Sequence, residues 1–339
     1  MPAFKGLAAG LPMRKAVAMV VRANSTAALV AASLALLTAP AFAARGPLGL
    51  SRPLTIEQSQ IVCDSETASD DKRMEACESL IASGDASRDD LAVDYVQRGN
   101  IAYRRRAFGE AVASYTEAIA LSPEIAAPYY DRGLAYAAEQ NYKLAVADYD
   151  AALARVADIP IVLLARADSL ASLQRYGAAL ADVARVAALR PNDPDALNAH
   201  GAISDDMGRP ADAIADYNKV LALRPDFVDA FYNRALAYAH DGRWQEGRAD
   251  LDRYVALKPN SGDGWFARAF DFDGDSPARA IADYTSAARD PVFEAGALYM
   301  RGALELKLGR REAGTADMAA AEKKDPNVAT VYAKFAEGP

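Results

Sequence analysis

The tripeptide Ala-Asp-apolar begins at Ala147, Ala181, Ala215, Ala249, Ala282 and Ala316, at intervals of 34, 34, 34, 33 and 34 residues. A weaker copy, Ala113-Ser114-Tyr115, stands 34 residues upstream of the first. A fixed period of this length means stacked supersecondary units, each too small to bury its own apolar face without a neighbour. The period therefore sets the fold class before any local pattern is read.

Prolines keep the same beat. Pro123, Pro160, Pro191, Pro225, Pro259, Pro291 and Pro326 each follow an apolar-periodic run, which a residue without an amide proton terminates. Within the fourth unit, Ala213, Ile214, Tyr217, Val220 and Leu221 recur at i, i+1, i+4, i+7 and i+8, which is one face of a helix. A first helix, from Pro194 to about Met207, is set off from the second by Gly208-Arg209-Pro210. Each unit reads as helix, turn, helix.

Large and small residues alternate in a fixed order along the units: Tyr129, Gly133, Tyr136, Ala145, Tyr149 and Ala152 in the second, Phe231, Ala235, Tyr238, Gly247, Leu251, Tyr254 and Pro259 in the fifth. This order resembles the tetratricopeptide repeat, in which small residues let helix backbones approach and aromatics fill the spaces between turns. The resemblance implies an all-α solenoid of stacked helix-turn-helix repeats, wound as a right-handed superhelix. Seven units are expected, at about 92–125, 126–159, 160–193, 194–227, 228–261, 262–294 and 295–328. The sixth is shortened around Asp273-Gly274-Asp275-Ser276-Pro277, and the second reaches its proline late, at Pro160. Val328, Val331, Tyr332 and Phe335 give one more amphipathic stretch, a capping helix over 329–339, which an open stack requires.

The amino terminus has the form of a secretory signal over 1–43. Lys5, Arg14, Lys15 and Arg22 precede an apolar core from Ala27 to Leu37, and Ala41-Phe42-Ala43 is a small-x-small cleavage site. Met13 would open a more ordinary signal, and the apolar core is shorter than the roughly 20 residues that span a bilayer. Export to the periplasm is the expectation. The signal carries four positive charges and no negative ones, so cleavage moves the net charge from -8 to -12. An acidic chain argues against nucleic acid or an anionic membrane as the main partner. The segment 44–91 holds both cysteines, Cys63 and Cys77. In an exported chain such a pair is expected to be a disulfide, here stapling a capping helix from about Asp70 to Ser83.

Little in the sequence suggests catalysis, so no enzyme activity and no cofactor are expected. There are two histidines, His200 and His240, and no phosphate loop, nucleophile elbow or metal-ligand motif. His200 stands where the other six units carry Arg98, Arg132, Arg166, Arg234, Arg268 and Arg301, so it reads as a structural substitute. His240 is expected to face solvent. The arginines and the recurring Asp148, Asp182, Asp216, Asp250, Asp283 and Asp317 suggest a ladder of Arg-carboxylate pairs, within or between units. Asp271, Asp273 and Asp275 alternate as in calcium loops, but the glycine is misplaced and Ala282 stands where a bidentate Glu is needed. No metal site is expected.

The resemblance further implies a concave groove lined by first helices that holds an extended peptide or a partner's helix. Its fifth place per unit gives Val96, Tyr130, Leu164, Asn198, Tyr232, Phe266 and Tyr299, and neighbouring places give Asn100, Asp168, Asp195, Asp205, Asp206 and Asp229. The aromatics among them suit either partner anchors or packing. Asn100 is present, but the lysines with which this family clamps a terminal carboxylate are not, so an apolar or basic segment fits the acidic groove better. The sequence thus reads as a non-catalytic protein-binding scaffold of the cell envelope. The alternatives are a binding protein or accessory subunit for a non-protein ligand such as a glycan, and a self-assembling envelope component.

Overall fold

A computed structural model describes residues 55–65, 67–272 and 276–336. Seventeen helices, and no strands, occur among them. They fall into two compact bodies that divide between Pro191 and Asn192. The first contains α1 (Ile56–Cys63), α2 (Asp70–Ser83), α3 (Arg88–Arg104), α4 (Phe108–Leu121), α5 (Ala127–Ala138), α6 (Tyr142–Arg155), α7 (Pro160–Ser172) and α8 (Tyr176–Leu189). The second contains α9 (Pro194–Asp206), α10 (Pro210–Leu223), α11 (Val228–His240), α12 (Trp244–Leu257), α13 (Gly262–Phe272), α14 (Pro277–Ala287), α15 (Glu294–Lys307), α16 (Arg311–Lys324) and α17 (Val328–Ala336). Within each body, sequential helices pair into antiparallel hairpins that stack as an α-solenoid. The signal-like segment 1–43 lies outside the described residues.

Local chemistry sets the helix ends. Pro160, Pro194, Pro210 and Pro277 open their helices, where a missing amide proton costs nothing. The turn inside a hairpin puts one residue in the left-handed region: Arg106, Gln140, Gln174, Gly208, Gly242 and Gly309, with φ of 59–80°. Three of these six lack the glycine that the conformation favours. The turn is therefore imposed by the packing of the two helices as much as by its own residue.

Two side-chain systems repeat through the stack. In the first, Gly99, Gly133 and Gly201 on first helices lie under the rings of Tyr115, Tyr149 and Tyr217 from the second helices, so close that an added Cβ would sit 2.5, 2.6 and 2.9 Å from ring carbons. These tyrosines are essentially fully buried. In two hairpins the same places hold Ala167 with Val183 and Ala235 with Leu251, a larger residue on one helix matched by a smaller partner on the other.

The second system answers the question of which way the recurrent arginines pair. Nε and Nη2 of Arg132, Arg166, Arg234 and Arg301 fork onto Asp148, Asp182, Asp250 and Asp317 of the same hairpin at 2.6–2.8 Å. Arg268 does the same with Asp283. The third nitrogen, Nη1, reaches back to the preceding hairpin, to Thr116, Asp150, Asn218, Asp252 and Thr285 in turn. Each arginine thus closes its own hairpin and ties it to the one before. Arg98 makes the shorter version, donating from Nε to Ser114.

The amino-terminal segment holds more structure than its sequence suggested. The helix expected at Asp70–Ser83 is α2, and α1 precedes it, joined through the Cys63–Cys77 disulfide with Cα atoms 5.0 Å apart. Cys77 stands 34 residues before Ala111, the fully buried small residue of α4, so α1 and α2 form a hairpin in register with the rest. Asp70 and Asp71 pair with Arg104 and Arg105, also 34 residues on. α1 was not legible because it buries Ser59 and Cys63 while leaving Ile56 and Ile61 exposed, the reverse of an apolar stripe. At the other end, α17 packs mainly on α15, with Tyr332 against Gly296 and its ring 5.9 Å from Phe266.

Two stability measurements follow. Gly133→Ala improves helix propensity by about 1 kcal/mol, yet forces Tyr149 to move, so a net loss of about 1–2 kcal/mol is expected in urea unfolding. Adding Tyr149→Leu, which recreates the Ala235–Leu251 pairing, should recover part of it. Arg234→Ala should cost about 1–3 kcal/mol by stranding buried acceptors. In double-mutant cycles it should couple with Asp250→Ala and not with Asp216→Ala, because Asp216 bonds His200 and Lys219 instead.

Candidate functional site: the first-helix surface

The residues expected to line a groove divide by chemistry. In the first body, Tyr130 on α5 is buried with its ring 6.0 Å from that of Tyr149, while Val96 and Leu164 are half-buried. In the second, Tyr232 is 4 % exposed and lies 4.9 Å from Tyr254, ring to ring. Phe266, 1 % exposed, is surrounded by Tyr284, Phe293 and Tyr332, and Tyr299 is buried in the same cluster. Of the two roles open to these aromatics, burial supports packing. The rings of Tyr130 and Tyr232 pack on the second helix of their own hairpins, and that of Phe266 also on the elements that follow, which leaves little surface for a partner to cover.

The polar places behave differently. Asn100 accepts the hydroxyl proton of Tyr115 at 2.8 Å, and Asn198 accepts from Asn233 at 3.1 Å. Three of the expected groove aspartates meet side chains of the protein itself: Asp195 meets Arg224 at 3.2 Å, Asp229 meets Lys258 at 2.6 Å, and both oxygens of Asp205 lie 2.8 Å from His240 Nδ1. His240 is therefore not solvent-facing; a carboxylate that is itself buried draws the ring inward. Asp168 and Asp206 are exposed. His200 takes the arginine's place, its Nδ1 2.6 Å from Asp216, which Lys219 also reaches. Asp271 is held by Arg248, and Asp273, Gly274 and Asp275 lie outside the described residues. No group of three or more potential metal ligands occurs among the described residues.

One carboxylate on this surface escaped the sequence reading. Asp131 follows Tyr130 on α5 and is half-buried, yet its surroundings desolvate it enough to push its carboxyl up to about 7. Among the described residues it has neither a hydrogen bond nor an ion pair; its charge is felt by Tyr103, Tyr115 and Tyr130, whose hydroxyls, already raised by burial, it raises further. A comparison of units would have exposed it. The same place holds Gln97, Ala165, Ala199, Asn233, Ala267 and Met300, so Asp131 is the one ionisable residue in the series.

The sequence model of the tetratricopeptide repeat family matches residues 96–158, 130–196 and 205–262. Among solved structures, a tetratricopeptide repeat protein from Parabacteroides merdae aligns with a TM-score of 0.61 at 19% identity, over 68% of this chain and 90% of its own. The human IFIT1 dimer with m7Gppp-AAAA aligns with a TM-score of 0.61 at 14% identity, over 83% of this chain and 70% of its own. At such identities the likeness is one of fold. No curated protein matches the sequence.

The raised carboxyl of Asp131 has a measurable sign. Below about pH 4 it is protonated in both folded and unfolded chains and costs nothing. As pH rises from about 4 to 7 the unfolded chain loses the proton first, so stability falls, and above 7 the cost is constant. Asp94, also raised by burial, acts in the same sense. Asp131→Asn removes only the first contribution. The variant should match the parent at pH 4 and exceed it at pH 8 in urea unfolding; a gap that does not change with pH would mean that the carboxyl is fully solvated.

Proposed function

This chain belongs to the tetratricopeptide repeat family, and on that premise we propose that it is a non-catalytic scaffold that binds another protein through its first-helix surface. The partner contributes an extended or helical segment of apolar or basic character. The observation that carries this reading is the state of that surface: its aromatics are spent on packing, while carboxylates stand at its half-buried and exposed places, with Asp168 exposed and Asp131 without a hydrogen bond or ion pair among the described residues. Such a surface attracts cationic segments and repels anionic ones. The capped RNA of the human neighbour is not carried over, since a net charge of -8 opposes binding to a polyanion.

The place of action inferred is the cell envelope, from the basic, apolar and small-residue sequence of the first 43 residues. The disulfide between Cys63 and Cys77 is consistent with an oxidising compartment.

Crosslinked capture from an envelope extract tests the reading. The first-helix variant Asp131→Lys, Asp168→Lys should lose a protein that the parent captures, whereas Glu117→Lys on the exposed side of the second helix α4 should retain it. Loss with Glu117→Lys alone would move the binding surface to the second helices.

A further inference from the structure

The packing of first helix on first helix follows a register that shows what Asp131 lacks. In the second body two side-chain bonds span this seam, each between residues 35 apart: Asn233 to Asn198 and His240 to Asp205. Asp131 occupies the place of Asn233, and 35 residues before it stands Val96, where Asn198 would be. Valine has nothing to donate. The nearby Tyr115 hydroxyl already donates its one proton to Asn100, and the ring of Tyr103 packs on Phe108, 5.4 Å away. Elsewhere the protein supplies its own partners: Asp195, Asp205 and Asp229 have Arg224, His240 and Lys258. At Asp131 it supplies none among the described residues.

We propose that Asp131, next to Tyr130 on α5, is a subsite for one cationic side chain, lysine or arginine, of the segment this surface binds. The chemistry is selective. A half-buried carboxylate without a donor of its own gains from an ammonium or guanidinium through charge-assisted hydrogen bonding. A neutral side chain leaves the carboxylate uncompensated, and an acidic one adds repulsion. This subsite rests on the scaffold reading above for its biological ligand, although its chemistry can be measured without it.

The test uses the full chain at pH 8 and side-chain mimics as probes: n-butylammonium and n-butylguanidinium, with n-butanol and butyrate as controls. Binding is followed by the 13C shift of the Asp131 carboxyl and the amide shifts of α5 and the end of α3. Saturable shifts with both cations and not with the controls are expected, weakened at least tenfold in Asp131→Asn and unchanged in Asp212→Asn, an exposed carboxylate of α10. The asparagine variant relieves a buried charge and so remains folded. No saturable shift with either cation, or equal shifts in parent and Asp131→Asn, would overturn the subsite. That failure would leave the capture experiment to stand by itself, and loss of capture with these shifts intact would sink the scaffold reading alone.

Discussion

The arginine fork is the interaction on which the rest of the structure depends. A helical hairpin of about 30 residues cannot bury enough apolar surface to stand alone, so each must be joined to the next in a fixed register. Arginine suits this task because its guanidinium holds donors pointing two ways in one rigid plane. Nε and Nη2 close the hairpin on a nearly buried aspartate, and Nη1 catches an acceptor two residues beyond the equivalent aspartate of the hairpin before. The pairing raises the arginines further above their ordinary range, the aspartate hydrogen bond being the largest cause. With the register held by polar bonds, packing can vary: Tyr over Gly in some hairpins, Val or Leu over Ala in others.

The fold was largely legible because its signals are periodic. Six copies of Ala-Asp-apolar with a weaker seventh, seven prolines and the matched small residues repeat one message, and α2 and α9 fall at or within a residue of where the pattern put them. What was hidden departs from the repeat. α1 buries polar residues and exposes isoleucines, so no apolar stripe announces it. The direction of the arginine pairing was ambiguous because spacing alone fits both answers, and both are correct.

The candidate site was less legible for a physical reason. On a repeat surface an aromatic serves packing and binding equally well in sequence, and only burial separates the two; Phe266 at 1 % exposed is spent on the core. The informative residues proved to be the polar ones whose internal partners are either present or missing. His240 turns inward because Asp205 draws it, and Asp131 has no partner among the described residues, the place 35 residues before it being Val96. A missing partner shows only when units are compared place by place.

The central claim, that five hairpins are each tied to their predecessor by the third nitrogen of one arginine, is tested most directly by native-state hydrogen exchange of Asp150→Ala. This change removes the acceptor of Arg166 Nη1 on α6 and leaves the Arg166–Asp182 fork within α7 and α8 intact. The account predicts faster exchange in α6 and α7, where the two hairpins meet, with α1–α4 unchanged. Unaltered exchange throughout the first body, or a uniform loss of protection across it, would contradict it.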